Sequence, residues 1–261
     1  GTTRILEGAF KGCASLTSLT LPSSLTAVDG DALGDLDSLT FLSVSARNPA
    51  FRSHQGALYT ADRSGLIRAP KAIASPYVVP YGTARLEAGS FAGCGIREIM
   101  LPSSIESVQS GAFAGCGRLE TVRFAGTPDE WATVEGGIDS DNAPLTSAAL
   151  QYDLSGFMVY LDAESYAYAG SPVEPQVTVS RNDLTLREGD DYQITYGDND
   201  APGVGWLRVT GVGDFTGQKE QRFEINQGYV TLVSMAVGGL KVGQGQSVEM
   251  PEEMATVLPE G

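Results

Sequence analysis

The chain has 261 residues, with 17 basic against 32 acidic side chains and a net charge of −15. That balance argues against nucleic acid as a partner, because phosphate binding needs clustered Lys and Arg, and against anionic membrane surfaces. No apolar run approaches the roughly 18 residues needed to cross a bilayer, and the length suits one large or two medium domains.

No signal peptide is visible. The chain is expected to begin inside a repeating unit and to continue in both directions. The stretch "AFKGCASL" at 9–16 returns as "SFAGCGIR" at 90–97 and as "AFAGCGRL" at 112–119. Self-similarity of this kind signals a repeat architecture. Phe10 and Leu33 stand 23 residues apart, Phe91 and Phe113 stand 22 apart, and a Pro (Pro22, Pro80, Pro102) precedes Leu33, Phe91 and Phe113 by 11. Each unit carries an L-x-x-L-x-L run, at 16–21, 39–44, 96–101 and 119–124. Its last three positions alternate as a strand does. The rest of the unit turns back through Val28, Leu86 and Val108, then Leu33, Phe91 and Phe113. One such turn cannot bury its apolar face alone, so turns stack into a solenoid with a shared core.

The combined pattern L-x-x-L-x-L-P-S-S-L-x-x-V-x-x-x-A-F-x-x-C-x-x-L resembles the 23-residue, Treponema-type leucine-rich repeats of bacterial BspA-like surface proteins, over about residues 3–150. Leu36 departs from it, standing where the other units have cysteine, and the run from Cys94 to Leu101 is one residue shorter than that from Cys13 to Leu21. The insert at 48–70, with its G-x-L-Y core, resembles the enlarged, hairpin-like unit of that family. At 126–145 the residues predict a closing cap. Thr127 caps a short helix, Pro128 takes its first position and Glu130 reaches back to the cap. Trp131 is then free to cover the end of the core.

Beyond about residue 150 the repeats stop. Runs at 157–161, 176–180, 192–196, 204–210 and 221–225 read as short strands between Gly, Asp, Asn and Pro clusters, a pattern suited to a β-sandwich. Tyr192, Ile194 and Tyr196 share one face. The elements at 166–170, 186–192, 211–217 and 223–225 resemble the small immunoglobulin-like modules of Gram-positive surface proteins, with Trp206 where a smaller residue is usual. The expectation is therefore a mainly β protein: a leucine-rich-repeat solenoid with a C-terminal cap (1–150), a small immunoglobulin-like β-sandwich (151–226), and the start of a further β-module or extra strands (227–261). The closing "LPEG" lacks the Thr of a sortase anchor.

Chemistry is sparse. His54 is the one histidine and reads as a polar turn residue. Ser53 is adjacent to it, which is the wrong geometry for a nucleophile and its base. Cys13, Cys94 and Cys116 lack the paired C-x-x-C spacing of a zinc site. Cys94 and Cys116 fall on neighbouring turns, about 4.8 Å apart, close enough for a disulfide. Their side chains point the same way into the core, which favours buried free thiols. The acidic loops 29–37 and 197–203 read as solvated turns rather than calcium sites. "GVGDFTG" lacks the Lys and helix of a phosphate loop. No catalytic residue, metal ligand or cofactor is assigned.

What remains is surface. The outward positions of the L-x-x-L-x-L runs form two columns, Ser18, Phe41, Glu98 and Thr121, then Thr20, Ser43, Met100 and Arg123. Repeats build extended binding faces this way, and exposed Phe41 and Met100 mark a contact site unless the insert covers them. Phe41, Ser43, Glu98, Met100, Thr121 and Arg123 are the candidate binding residues. The family resemblance implies adhesion or host-matrix interaction: a non-enzymatic, monomeric protein of the bacterial surface or exterior, binding a protein or glycan partner. The alternatives are a structural stalk for a domain elsewhere, and a carbohydrate-active β-module. Tyr192, Tyr196 and Trp206 fit a core better than the latter requires.

Overall fold

A computed structural model describes residues 1–29, 31–228, 236–237 and 240–241. The expectation for 227–261 therefore lies almost entirely outside the described residues. The molecule is mainly β and forms two compact units. One comprises 1–158 with 179–193 and 210–218; the other comprises 159–178, 194–209 and the residues from 219 onward.

In the first unit the repeat becomes a stack of turns. Most turns supply a longer strand on one side and a two-residue strand on the other. Ser18–Leu21 pairs in parallel with Phe41–Val44, and Arg4–Ile5 with Ala27–Val28. A second parallel sheet runs Tyr77–Val78, Glu98–Pro102, Thr121–Ala125, Ala149–Asp153, Phe215–Thr216 in spatial order. The registers Ser18↔Phe41, Thr20↔Ser43, Glu98↔Thr121 and Met100↔Arg123 follow the repeat period. The glycine before each cysteine bends the chain with positive φ: Gly12 at 81°, Gly93 at 71° and Gly115 at 72°. An L side chain is strained there, which accounts for the recurring G-C pair.

The insert forms the antiparallel hairpin Phe51–His54/Ala57–Thr60, and Gly65–Arg68 continues it antiparallel. It divides the stack into two cores. Leu58 and Ile67 belong to the core of Leu21, Leu33, Leu36 and Leu42. Ala57, Tyr59 and Leu66 belong to the core of Phe91, Ile99, Leu101, Phe113 and Phe124. Successive strand side chains point to opposite faces, so a strand between two cores is apolar throughout. Ala57, Leu58 and Tyr59 are accordingly all fully buried.

Aromatic rings form the spine of the second core. Tyr77 meets Phe91 edge-on at 5.7 Å, Phe91 and Phe113 stack at 5.0 Å with 8° between planes, and Phe124 lies 5.2 Å from Trp131. Burying one such ring contributes about 1.5–3 kcal/mol. The cap helix Pro128–Glu135 forms as its sequence predicts. Thr127 accepts from the Glu130 N–H, the Glu130 side chain accepts from the Thr127 N–H, and Trp131 is buried. The sheet does not end there, because Ala149–Asp153 pairs with Thr121–Ala125 and Phe215–Thr216 pairs with Ala149–Asp153.

Closing a stack leaves the last turn without a neighbour for its backbone. Within the stack, Ala69 N–H donates to the Ser90 carbonyl and Phe91 N–H to the Ala112 carbonyl, both at 2.7 Å. The equivalent Phe113 N–H donates instead to Asn142 Oδ1 at 2.9 Å, and Asn142 Nδ2 donates to the Gln109 carbonyl at 3.0 Å. A buried side-chain amide, one donor group and one acceptor, thus stands in for the missing turn. Asn48 does the same beside the insert, donating to the Pro22 and Leu25 carbonyls and accepting from the Ala50 and Phe51 N–H groups, all at 2.8 Å.

All five runs read as strands in the second half are strands, at Met158–Leu161, Val177–Arg181, Tyr192–Gly197, Gly203–Gly211 and Gln218–Asn226. In the second unit Ser165–Ala167 runs parallel to 224–226. Trp206 is half-buried, and its indole N–H donates to Asp198 at 3.1 Å. Its ring fills the place where a side chain on Gly197 would sit, 2.3 Å from a Cβ there. Glycine at 197 thus makes room for the large residue at 206.

Candidate functional site

The outward residues of the parallel strands form the face singled out above, but it is divided. Ser18, Thr20, Phe41 and Ser43 lie on the first two-stranded sheet, whereas Glu98, Met100, Thr121 and Arg123 lie on the second sheet. The insert hairpin intervenes, with Leu42 N–H donating to the Gly56 carbonyl at 2.7 Å.

On the first sheet Thr20 and Ser43 hydroxyls bond at 2.7 Å. Phe41 remains 51% exposed, although its ring edge occupies the space beside Gly56, 2.9 Å from where a Cβ would stand. The insert therefore flanks Phe41 without covering it. On the second sheet Glu98 and Arg123 pair diagonally, Nε to Oε1 at 2.8 Å, and leave Met100 as the apolar member. Val78 stands in register beside Met100. The carbonyl of Met100 accepts from Val79 N–H at 2.9 Å, which binds the two turns together.

Met100 lines a depression of about 300 Å³ together with Val78, Tyr81, Pro102, Gly156 and Arg181. Sequence reasoning missed Val78 and Tyr81. Tyr81 carried a signal, since it follows Pro80 where the parallel units read Pro22-Ser23 and Pro102-Ser103. It is 84% exposed, an unusual state for an aromatic ring on a folded surface. Arg181 carried no local signal, because it reaches the depression from the turn of the hairpin Val177–Arg181/Leu184–Thr185. It donates through Nε and Nη2 to both Glu130 carboxylate oxygens, at 2.8 and 3.0 Å, and through Nη1 to the Gly156 carbonyl at 2.8 Å. Burial alone would raise the Glu130 pKa. The Arg181 bonds and the Thr127 N–H outweigh it and hold the carboxyl below its usual range.

Several other polar groups are engaged inside the fold. Cys94 Sγ donates to the Pro70 carbonyl at 3.4 Å and Cys116 Sγ to the Phe91 carbonyl at 3.0 Å. Burial pushes the two thiols up to about 12 and about 11, so neither is a nucleophile at neutral pH. Cys13 holds the same position in its repeat but is exposed. His54 ends a hairpin strand, its ring edge-on to Tyr59 at 6.2 Å. The Tyr59 and Tyr77 hydroxyls bond to each other at 2.8 Å inside the core, and burial raises both, Tyr77 to about 12. In the acidic loop 29–37, Asp29 pairs with Arg4, Asp31 with Arg68 and Asp37 with Lys71. Three of its four carboxylates thus bind cationic side chains. In the loop 197–203 Asp198 accepts from Trp206. Tyr192 is buried and Tyr196 half-buried. Among the described residues, no His, Cys, Asp and Glu cluster is placed to hold a metal ion, and no helix is long and apolar enough to cross a membrane.

Residues 1–54 and 75–136 match the BspA-type leucine-rich repeat region, in six copies. The BspA-type match covers less than half of the chain. Its two segments flank most of the insert, whose hairpin interrupts the period. No curated protein matches the sequence. Among solved structures, a leucine-rich repeat protein from Eubacterium ventriosum is 20% identical, with a TM-score of 0.40, over 58% of this chain and 46% of that one. A leucine-rich cell surface protein from Faecalibacterium prausnitzii is 19% identical, with a TM-score of 0.36, over 51% and 54%. The pneumococcal vaccine antigen PcpA is 19% identical, with a TM-score of 0.33, over 42% and 39%. The chain spans roughly half the length of these proteins or less.

Proposed function

We propose that the chain is part of a non-enzymatic protein of the bacterial surface or exterior, which binds a protein or glycan partner through the strand face of its repeats. The observation that carries the reading is the pairing of a rigid, period-locked face with large apolar side chains left in water: Phe41 on one sheet, and Tyr81 with Val78 beside Met100 on the other. Stacked repeats hold the backbone of such positions in fixed geometry, which lowers the ordering cost on binding. The BspA-type match supports a role in interaction at the cell surface. In this reading Ser43, Thr121 and the Glu98–Arg123 pair supply the polar surround. The β-rich segment 151–226 acts as an immunoglobulin-like spacer, and the protein is a monomer.

The test is binding to a glycan array and to a panel of host and bacterial surface proteins, for the intact chain and its Phe41→Ala/Met100→Ala variant. Retention by the wild type and loss in the variant is the expected result. Silence of the wild type on both panels overturns the reading and leaves a structural stalk.

A further inference from the structure

The depression beside Met100 is narrower in chemistry than the face around it. We infer that it is a subsite for a neutral sugar ring of a glycan; this deepens the surface-binding reading above and rests on it. The argument starts from Tyr81. A phenol ring that is 84% exposed presents a flat face with a negative quadrupole. Val78, Met100 and Pro102 extend it into an apolar floor. The C–H face of a pyranose is apolar with slightly positive hydrogens, so it complements such a ring while its hydroxyls stay at the edge.

The edge of the depression is polar but electrically balanced. Arg181 commits three N–H groups to Glu130 and Gly156. A guanidinium carries five, so two stay available in a side chain that is already held in place. Its charge is met by Glu130 at 2.8 Å, and that of neighbouring Arg123 by Glu98 at 2.8 Å. An anionic ligand thus finds no uncompensated cation and must approach a chain of net charge −15. A basic peptide finds both carboxylates engaged. A ligand of many neutral hydroxyls meets directional donors without losing a charge, and Ser103 and Ser155 at the rim add hydroxyls of their own. Size agrees. At 300 Å³ the depression stands at the small end of ligand sites, which run from about 300 to 1,000 Å³. A stable protein partner would instead cover roughly 800 Å² on each side.

The experiment uses the intact chain on immobilised neutral oligosaccharides (gluco-, manno-, galacto- and N-acetylglucosamine oligomers), with sialylated and sulfated glycans as controls. Surface exposure of Tyr81 means its variants keep the fold. Wild type is expected to be retained on at least one neutral class. Tyr81→Ala should weaken that binding by about tenfold or more, Tyr81→Phe by less than about threefold, and Val204→Ala, an exposed apolar residue outside the repeat face, should leave it unchanged. Silence on neutral sugars, retention on charged glycans alone, or indifference to Tyr81→Ala overturns the subsite. If the neutral array is silent while a surface protein binds through Phe41, the subsite fails and the broader reading stands. Silence of both sinks both.

Discussion

Asn142 offers the sharpest test of how the stack is closed. The residue is fully buried and joins three partners: Phe113 N–H at 2.9 Å, the Gln109 carbonyl at 3.0 Å and Asp139 Oδ1 at 3.0 Å. Asn142→Ala strands a buried amide N–H and a part-buried carbonyl in the last turn. The buried N–H costs about 1–3 kcal/mol and the part-buried carbonyl about 1 kcal/mol, so the variant should lose about 2–4 kcal/mol. With a urea slope of about 2 kcal/mol per molar, the midpoint falls by about 1–2 M. Asn142→Asp keeps the acceptor for Phe113 but turns an oxygen toward the Gln109 carbonyl, and it should destabilise as much. Trp131, packed on Phe124, reports the transition by fluorescence in a Trp206→Phe background, and amide exchange at Phe113 reports the lost bond directly. A midpoint shift below about 0.3 M for Asn142→Ala, with Phe113 still protected, would refute the view that this side chain replaces a turn.

Thiol labelling of the native protein should find one fast cysteine, Cys13; Cys94 and Cys116 should react only on denaturation, and a second fast thiol in the folded state counts against the buried slots. Glu130→Gln should lower stability by about 1–2 kcal/mol at pH 7. Because the folded carboxyl is held below its unfolded value of about 4.3, that difference should persist down to about pH 5 and vanish as pH falls through the folded value; urea midpoints of both proteins from pH 7 to 3 check it. A difference that grows on acidification would reverse the sign. Gly197→Ala puts a methyl into the Trp206 ring and should cost about 1–3 kcal/mol, with a shift in Trp206 emission; an unchanged spectrum and midpoint would show that the ring has room to move.

Much of this was legible in the chain itself. The slots of Phe91, Phe113, Cys94 and Cys116, the strand runs, the capping box at Thr127 and Glu130, and the in-register face all follow from patterns confined to one turn. A solenoid repeats its local environment, so a residue's place in the period specifies its burial. That logic has an exception: Cys13 holds the same slot as Cys94, yet it is exposed.

Other features were decided only by tertiary structure. The apolar run 57–59 gave no hint that it separates two cores, since alternation is invisible when both faces are buried. Phe215–Thr216 joins the repeat sheet through backbone bonds that any sequence could make. Asn48 and Asn142 look like ordinary loop residues until the backbone groups they satisfy are known. The depression gathers Val78, Tyr81, Met100, Gly156 and Arg181 from separate stretches of chain. The sequence by itself determined the period and what each turn buries, because burial pattern is written residue by residue. Which polar groups lack a partner, and which exposed rings stand together, depends on distances between turns, and only the folded chain sets those.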